Sequence, residues 1–390
     1  MLSSSARRGA AVLLGAAVLT TLSACGAAPD PKPGATAPGD AKGNAQPGTA
    51  ASAADLGGMA ALVAAAEKEG QLNVIALPPD WANYGQMMKA FQAKYPKVKI
   101  SSENPDAASA DEIAAVKSRK GQKRAPDVLD LGIAFARSGA GENLFASYKV
   151  AAWDKIPAGQ KDADARWYND YGGYVSIGCD AARVPNCPQS FADLLKPEYK
   201  GKVALNGNPT KSGSAFGGVY AAALANKGSF ADIQPGIDFF GQLKKSGNFI
   251  PVESTPATVE KGETPISIDW DYLNAGYAEQ FKGKGVDWKV SVPSDGVYAQ
   301  YYSQAINKDA PNPAAARLWM EFLYSAEGQN IWLQGHARPV LLPVMAADGT
   351  ADKDAVTKLP QVQGTPAVPA SAELDKAKAT LAEKWDKALS

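Results

Sequence analysis

Two carboxylates flank an indole in Asp269-Trp270-Asp271-Tyr272, directly after the apolar run Ile266-Ser267-Ile268. Aromatic faces attract ammonium groups and carboxylates neutralise them, so this cluster suits a cation. The same residues also read as strand alternation toward a core, with Asp271 capping the next helix. A second loop, Asn208-Pro209-Thr210-Lys211-Ser212-Gly213-Ser214, precedes an apolar helical stretch. Free amides and hydroxyls at a helix N-terminus hold anions, and Lys211 adds charge. A plain cap by Ser212 or Ser214 explains those residues equally. A third loop, Pro78 to Gly85, offers Trp81 and Tyr84 as flat walls and Asn83 as a two-way hydrogen-bonding group, or else a cap with packing aromatics. A fourth, Asn104-Pro105-Asp106, reads as a turn.

What the composition excludes narrows the chemistry. Basic and acidic residues balance at 40 each, so no nucleic acid or other polyanion is indicated as a partner. Gly-x-Ser-x-Gly is absent, and the sole histidine, His336, stands in Gln334-Gly335-His336-Ala337-Arg338 without triad context. Cys179 and Cys187 lie eight positions apart and, outside the cytoplasm, are read as a disulfide; a metal pair is the alternative, and His336 is remote from it. No cofactor and no metal site is expected.

The N-terminus reads as a targeting segment. Arg7-Arg8 is followed by an Ala, Val, Leu and Gly stretch from Gly9 to Leu22, too short to span a bilayer, and then by Ser23-Ala24-Cys25. Residues 1–24 are thus expected to be a signal peptide. With Cys25 at the cut, the pattern resembles the bacterial lipoprotein lipobox, which implies a diacylglyceryl thioether on Cys25 and an extracytoplasmic lipid anchor in the cell membrane. Residues 25–54 are almost wholly Ala, Gly, Pro, Asp, Thr and Ser, the composition of a flexible leash with a reach of roughly 30 Å.

Alternating strands and helices fill the rest. Strands are expected at Leu72 to Leu77, Val98 to Ser102, Val128 to Gly132, Tyr174 to Ile177, Val203 to Leu205, Ile266 to Ile268 and Val286 to Val292. Helices are expected at Tyr84 to Tyr95, Ala110 to Lys120, Ser190 to Leu195, Ala215 to Ala225, Gly236 to Ser246, Pro313 to Ser325, Glu327 to Gln334 and Glu373 to Ala388. Strands separated by helices argue for an α/β body with a mainly parallel sheet.

Three segments carry a family resemblance. Ile306-Asn307-Lys308-Asp309-Ala310-Pro311-Asn312-Pro313-Ala314-Ala315-Ala316, continuing to Phe322-Leu323-Tyr324-Ser325-Ala326-Glu327-Gly328-Gln329, resembles the signature of extracellular solute-binding proteins. Phe191-Ala192-Asp193-Leu194-Leu195-Lys196-Pro197-Glu198-Tyr199-Lys200-Gly201-Lys202-Val203 is similar to a second motif of that group, with Phe191 in place of tryptophan, and Lys261 to Ile266 adds to the match. The group is the type II periplasmic-binding-protein superfamily, with its ferric, thiamine, polyamine and 2-aminoethylphosphonate binders. The resemblance implies a two-lobed α/β fold with two crossing segments, near Tyr171 to Asp180 and Ser291 to Gln304. Lobe one would comprise 55–172 and 300–390, and lobe two 173–299.

It also implies a monomeric receptor, not an enzyme, that captures a small charged solute and hands it to an ABC permease. The expected ligand-binding residues are Trp81, Asn83, Tyr84, Ser212, Gly213, Ser214, Asp269, Trp270, Asp271 and Tyr272. An anion-favouring helix end facing a cation-favouring cluster suits 2-aminoethylphosphonate, whereas a polyamine would use only the cluster. Ferric binders of the group carry adjacent tyrosines, and the only such pair here is Tyr301-Tyr302. An extracytoplasmic hydrolase or a surface adhesin are the alternatives; the first would alter the ligand, and the second would undergo no ligand-driven closure.

Overall fold

The computed structural model describes residues 45–362 and 369–390. The expected signal peptide, Cys25 and most of the leash lie outside the described residues. In chain order the elements are α1 (Met59–Glu69), β1 (Gln71–Ile75), α2 (Tyr84–Lys94), β2 (Lys99–Glu103), α3 (Ser109–Ser118), β3 (Val128–Gly132), α4 (Ile133–Gly141), β4 (Phe145–Ala146) and β5 (Tyr168–Asp180). Then come β6 (Val203–Leu205), α5 (Gly213–Ala225), α6 (Gln234–Ser246), α7 (Pro256–Lys261), β7 (Ile266–Trp270), α8 (Asp271–Gln280), β8 (Trp288–Ser291) and β9 (Ala299–Asn307). The chain closes with α9 (Pro313–Leu323), α10 (Ala326–Gln334), β10 (Arg338–Pro339), α11 (Leu342–Asp348), α12 (Lys353–Thr357) and α13 (Ser371–Leu389).

The fold has two lobes, and β5 belongs to both. Its first half pairs with β9 and β10, and its second half with β7 and β8, all antiparallel. The second crossing is the chain between β8 and the start of β9, where Val175 N donates to Tyr298 O at 2.9 Å. The sheet is therefore not mainly parallel. Among the strands of the described residues only β1–β2 and β6–β7 pair in parallel, because a chain that crosses between lobes and returns lays its two crossing strands against each other in opposite directions.

Local chemistry sets the element ends. Ser212 caps α5 by accepting from Ala215 N at 3.3 Å, and Thr255 caps α7 by accepting from Thr258 N at 3.3 Å. The Glu69 carboxylate reaches across to cap α9, accepting from Ala314 N at 3.0 Å and Ala315 N at 2.8 Å. The Ser190 to Leu195 segment forms a 3-10 turn at Ala192–Leu195 and not an α-helix, since Pro197 follows too soon for the helix to propagate.

Two ends of the chain sit differently from the sequence expectation. The last residues of the expected leash pack onto the body, with Ala50 fully buried. Buried Arg317 donates from Nε to Ala50 O at 2.9 Å and from Nη2 to Gly48 O at 3.2 Å. At the other end, α13, expected in lobe one, reaches α4 there through Lys378 Nζ, which donates to Ser138 Oγ at 3.1 Å, while its buried stripe of Leu374, Ala377, Leu381 and Trp385 brings Trp385 to Phe240 of α6 at 5.4 Å. Apolar residues at helical spacing follow the surface that covers them, here α6.

A disulfide joins Cys179 and Cys187, whose Cα atoms lie 5.8 Å apart. It closes the turn that leaves β5, next to the buried Asp180. Replacing both cysteines by serine is expected to lower stability by roughly 2 to 3 kcal/mol, read as a shift in urea midpoint without a change in slope.

Candidate functional site

The ends of β1, β3 and β6 and the N-terminus of α5 converge on a cavity of about 330 Å³ between the lobes. Its walls are Trp81, Ser109, Glu112, Asp130 and Tyr302 on one side and Asn206, Ser212, Gly213, Glu253 and Ser254 on the other. The lobes touch at its base. A Cβ on Gly132 would lie 3.0 Å from Gly213 Cα, so a side chain at either position would push the lobes apart by a few tenths of an ångström, and Ala110 N donates to Lys211 O at 3.3 Å alongside.

The cavity is acidic. Among the described residues six acidic side chains line it, from Asp80, Asp106, Asp111, Glu112, Asp130 and Glu253, against the single cation Lys211. Burial pushes Glu112 well above the usual carboxylate range, and Asp130 beside it adds to that rise. Burial likewise pushes Asp130 up to about 7, opposed by donation from Tyr171. Glu253 is raised by burial and by Asp106 across the cleft. Among the described residues two polar atoms here lack a hydrogen-bond partner: Asp130 Oδ1 and the hydroxyl of fully buried Ser254. Buried groups of this kind normally have a hydrogen-bond partner, which makes them candidate contacts for a polar solute.

The sequence-derived residues fall into two groups. Trp81, Ser212 and Gly213 line the cavity. Trp81 is oriented by its indole N–H, which donates to Tyr171 hydroxyl at 2.7 Å, and its ring stands edge-on to Tyr302 at 5.6 Å. Ser212 spends its hydroxyl on the helix cap and on Asn206 O at 2.9 Å.

Asn83, Tyr84, Ser214, Asp269, Trp270, Asp271 and Tyr272 do not line the cavity. Asn83 turns away and donates to Ile331 O at 3.0 Å, while Tyr84 is buried with its hydroxyl accepting from Gln304 at 2.9 Å. Ser214 donates to Asp269, which also accepts from Asn206 Nδ2 at 2.7 Å. Trp270 is fully buried and stacks on Tyr298 at 6.4 Å. Asp271 is buried in an ion pair with Arg338 at 2.5 Å and accepts from Tyr174 N at 2.9 Å. Tyr272 is buried and packs edge-on to Trp81 at 6.2 Å. The Asp-Trp-Asp run thus builds the junction of β7 with the crossing strand. Its carboxylates find partners inside the protein, and that is why they are not presented to the cleft.

Tyr301 and Tyr302 are adjacent on β9, so their side chains leave opposite faces of the strand. Tyr302 lines the cleft, and Tyr301 opens onto a separate cavity behind the crossing strands. They cannot form one ligand pair. His336 is buried 3.3 Å from the Glu279 carboxylate of α8, with no serine or cysteine hydroxyl or thiol hydrogen-bonded to it among the described residues.

Glu112, Asp130, Glu253 and Ser254 are not among the residues the sequence points to, and Tyr302 enters there only as half of the adjacent tyrosine pair. Asp130 carried a legible signal, an acid in the middle of the otherwise apolar strand Val128-Leu129-Asp130-Leu131-Gly132. Such a carboxylate needs a reason to be there.

A family profile described as bacterial extracellular solute-binding protein matches residues 123–361. The chain superposes on the periplasmic binding protein P5PA with a TM-score of 0.67 at 19% identity, covering 82% of this chain and 100% of that one. AfuA from Actinobacillus pleuropneumoniae, solved with fructose-6-phosphate bound, gives 0.65 at 21% identity over 82% and 98%. Apo ferric ion-binding protein A from Pasteurella haemolytica gives 0.60 at 20% identity over 82% and 98%. An uncharacterised protein of Haemophilus influenzae is 26% identical over 179 residues, which is 44% of this chain and about half, 49%, of that relative. Among the described residues no helix is long and apolar enough to cross a membrane.

Burial gives the folded state more bound protons than the unfolded chain, whose carboxyls titrate near about 4. Asp269 is pushed up to about 6 and Asp127 to about 7, in each case chiefly by burial. A raised carboxyl contributes most stability at acid pH and loses it as pH climbs through the folded value. Asp193, held down to about 2 by its hydrogen bond from Lys196, works the other way but lies at the surface, where solvent weakens it. Thermal stability of the unliganded protein is therefore expected to fall from about pH 5 to about pH 7.5, and Asp269→Asn to flatten that slope, in a calorimetric pH series.

Proposed function

The chain belongs to the bacterial extracellular solute-binding proteins, and we propose that it is a lipid-tethered receptor of an ABC importer that traps a small organic cation of the polyamine kind between its lobes. The observation that carries this reading is the imbalance of six acidic side chains to one lysine around the cleft. At an effective dielectric near 20, a carboxylate about 6 Å from an ammonium contributes about 3 kcal/mol before desolvation. Several acting together outweigh the pull of one lysine and one helix end on an anion.

Trp81 and Tyr302 supply aromatic faces for the cation and its methylenes. Asp130 Oδ1 and the Ser254 hydroxyl, one from each lobe, are the polar atoms left for the solute to satisfy. Because the two come from opposite lobes, a solute that bonds both stabilises the closed arrangement over the open one, and closure becomes a population shift. No bond in the solute is made or broken. Cys25 supplies the tether, and a permease receives the solute.

A second reading keeps 2-aminoethylphosphonate. Lys211, Ser212 and Gly213 at the start of α5 favour an anion, and Asp130 and Glu112 now stand where the Asp-Trp-Asp cluster was expected to hold the amine. Isothermal titration against putrescine, spermidine, 2-aminoethylphosphonate, thiamine and ferric citrate separates the two. Putrescine or spermidine is expected to bind, and Asp130→Asn to weaken it by about tenfold or more, the loss of one charge-assisted contact. Phosphonate binding alone, abolished by Lys211→Ala, would select the second reading, and silence from all five would remove both. For the tether, Cys25→Ser is expected to move the protein from the membrane fraction to the medium; retention on the membrane would refute it.

A further inference from the structure

Three buried carboxyl groups, Glu112, Asp130 and Asp170, run from the cleft wall into crossing strand β5, and no cation lies among them. They are 1%, 5% and 0% exposed. Asp130 N donates to Glu112 Oε2 at 2.9 Å, and the Tyr171 hydroxyl donates to Asp130 Oδ2 at 2.6 Å. Gln304 Nε2 donates to Asp170 Oδ2 at 3.0 Å and to Tyr84 hydroxyl at 2.9 Å, and Tyr171 N donates to Asp170 Oδ1 at 2.7 Å. Among the described residues no lysine, arginine or histidine pairs with any of the three.

The elements packed around them add phenols and acids, Tyr324 at the end of α9 among them, and the guanidinium of Arg338 on β10 is spent on Asp271. Tyr84 comes from α2, Asp111 from α3, Tyr171 from β5, Tyr272 from α8 and Tyr302 from β9. The cleft adds Asp80, Asp106 and Glu253, and Lys211 is the one positive group there. Three like charges in so dry a place cannot all ionise. Burial raises each carboxyl, and the charge of Asp130 raises Glu112 and Asp170 further.

We infer that this chain of acids stores a proton while the cleft is empty, and that a solute ammonium arriving at Asp130 expels it, so that capture is coupled to proton release. This rests on the cation reading above. The O–H bond of one carboxylic acid breaks, the proton passes to water through the cleft, and the carboxylate left behind pairs with the ammonium. No other reactant is needed. Since binding releases a proton, affinity rises with pH and falls in acid, by up to about tenfold per pH unit while the chain is protonated.

Two measurements on the full chain test it. Infrared spectroscopy of the unliganded protein at about pH 7 is expected to show a protonated-carboxyl C=O band that weakens in Asp130→Asn or Glu112→Gln and on saturation with a bound ammonium probe. Titrations with putrescine, spermidine and 2-aminoethylphosphonate in phosphate and in Tris are expected to give about one proton released per solute bound, with about tenfold tighter binding at pH 7 than at pH 6. A probe that binds with no proton released, or a spectrum without the band, overturns the coupling and leaves the receptor standing. If the band is present and none of the three probes binds, the cation reading falls, and the coupling falls with it.

Discussion

A single strand, β5, is hydrogen-bonded into two lobes at once, and this constraint organises everything around it. Its first half is fixed by β9 and β10 and its second by β7 and β8. A strand cannot be slid by one residue without turning every side chain to the opposite face. The register therefore ties the two lobes to one another at the point where the chain crosses. Gly172 and Gly173 mark that point. A Cβ on Gly173 would strike Asp271 and the Tyr272 ring, so the crossing strand lies hard against the start of α8. The Arg338–Asp271 pair closes the same joint from β10. Losing one partner of such a buried pair is far more damaging than the net worth of the pair, because a charge is left without compensation.

With the joint fixed, the cleft collects what the strand ends deliver. The carboxylates there differ from those at the joint in one respect. Asp271 has a guanidinium and Asp269 has a hydroxyl and an amide, whereas Asp130 Oδ1 has no hydrogen bond of normal geometry among the described residues. Folding tolerates an unsatisfied buried oxygen at a cost on the order of 1 to 3 kcal/mol. That cost supports this wall as the place where the proposed solute would bind.

The sequence carried the architecture better than the site. Runs such as Val128 to Gly132 and Ile266 to Ile268 formed strands because apolar residues flanked by turn-formers leave little choice, and Asn312-Pro313 opened α9 where expected. The site was harder, because facing direction depends on strand register and helix rotation that no local pattern specifies. Asp269-Trp270-Asp271 looked like a cation cluster, but its partners Ser214, Asn206 and Arg338 are 55, 63 and 67 positions away in sequence. Tyr301 and Tyr302 were the reverse case: strand alternation alone was enough to separate them. Packing of α13 on α6 escaped for a related reason, since an amphipathic stripe says that a helix is covered and not by what.

The grip of Arg317 on Gly48 and Ala50 has a mechanical consequence. A guanidinium that is 1% exposed, held between α9 and the incoming chain, makes residues 48 to 50 part of one lobe. A pull on the chain at Gly48 would therefore reach α9 first. The lobe that holds α9 would then act as the stator and the other as the moving arm, so a tether of the proposed kind would leave the proposed closure unopposed.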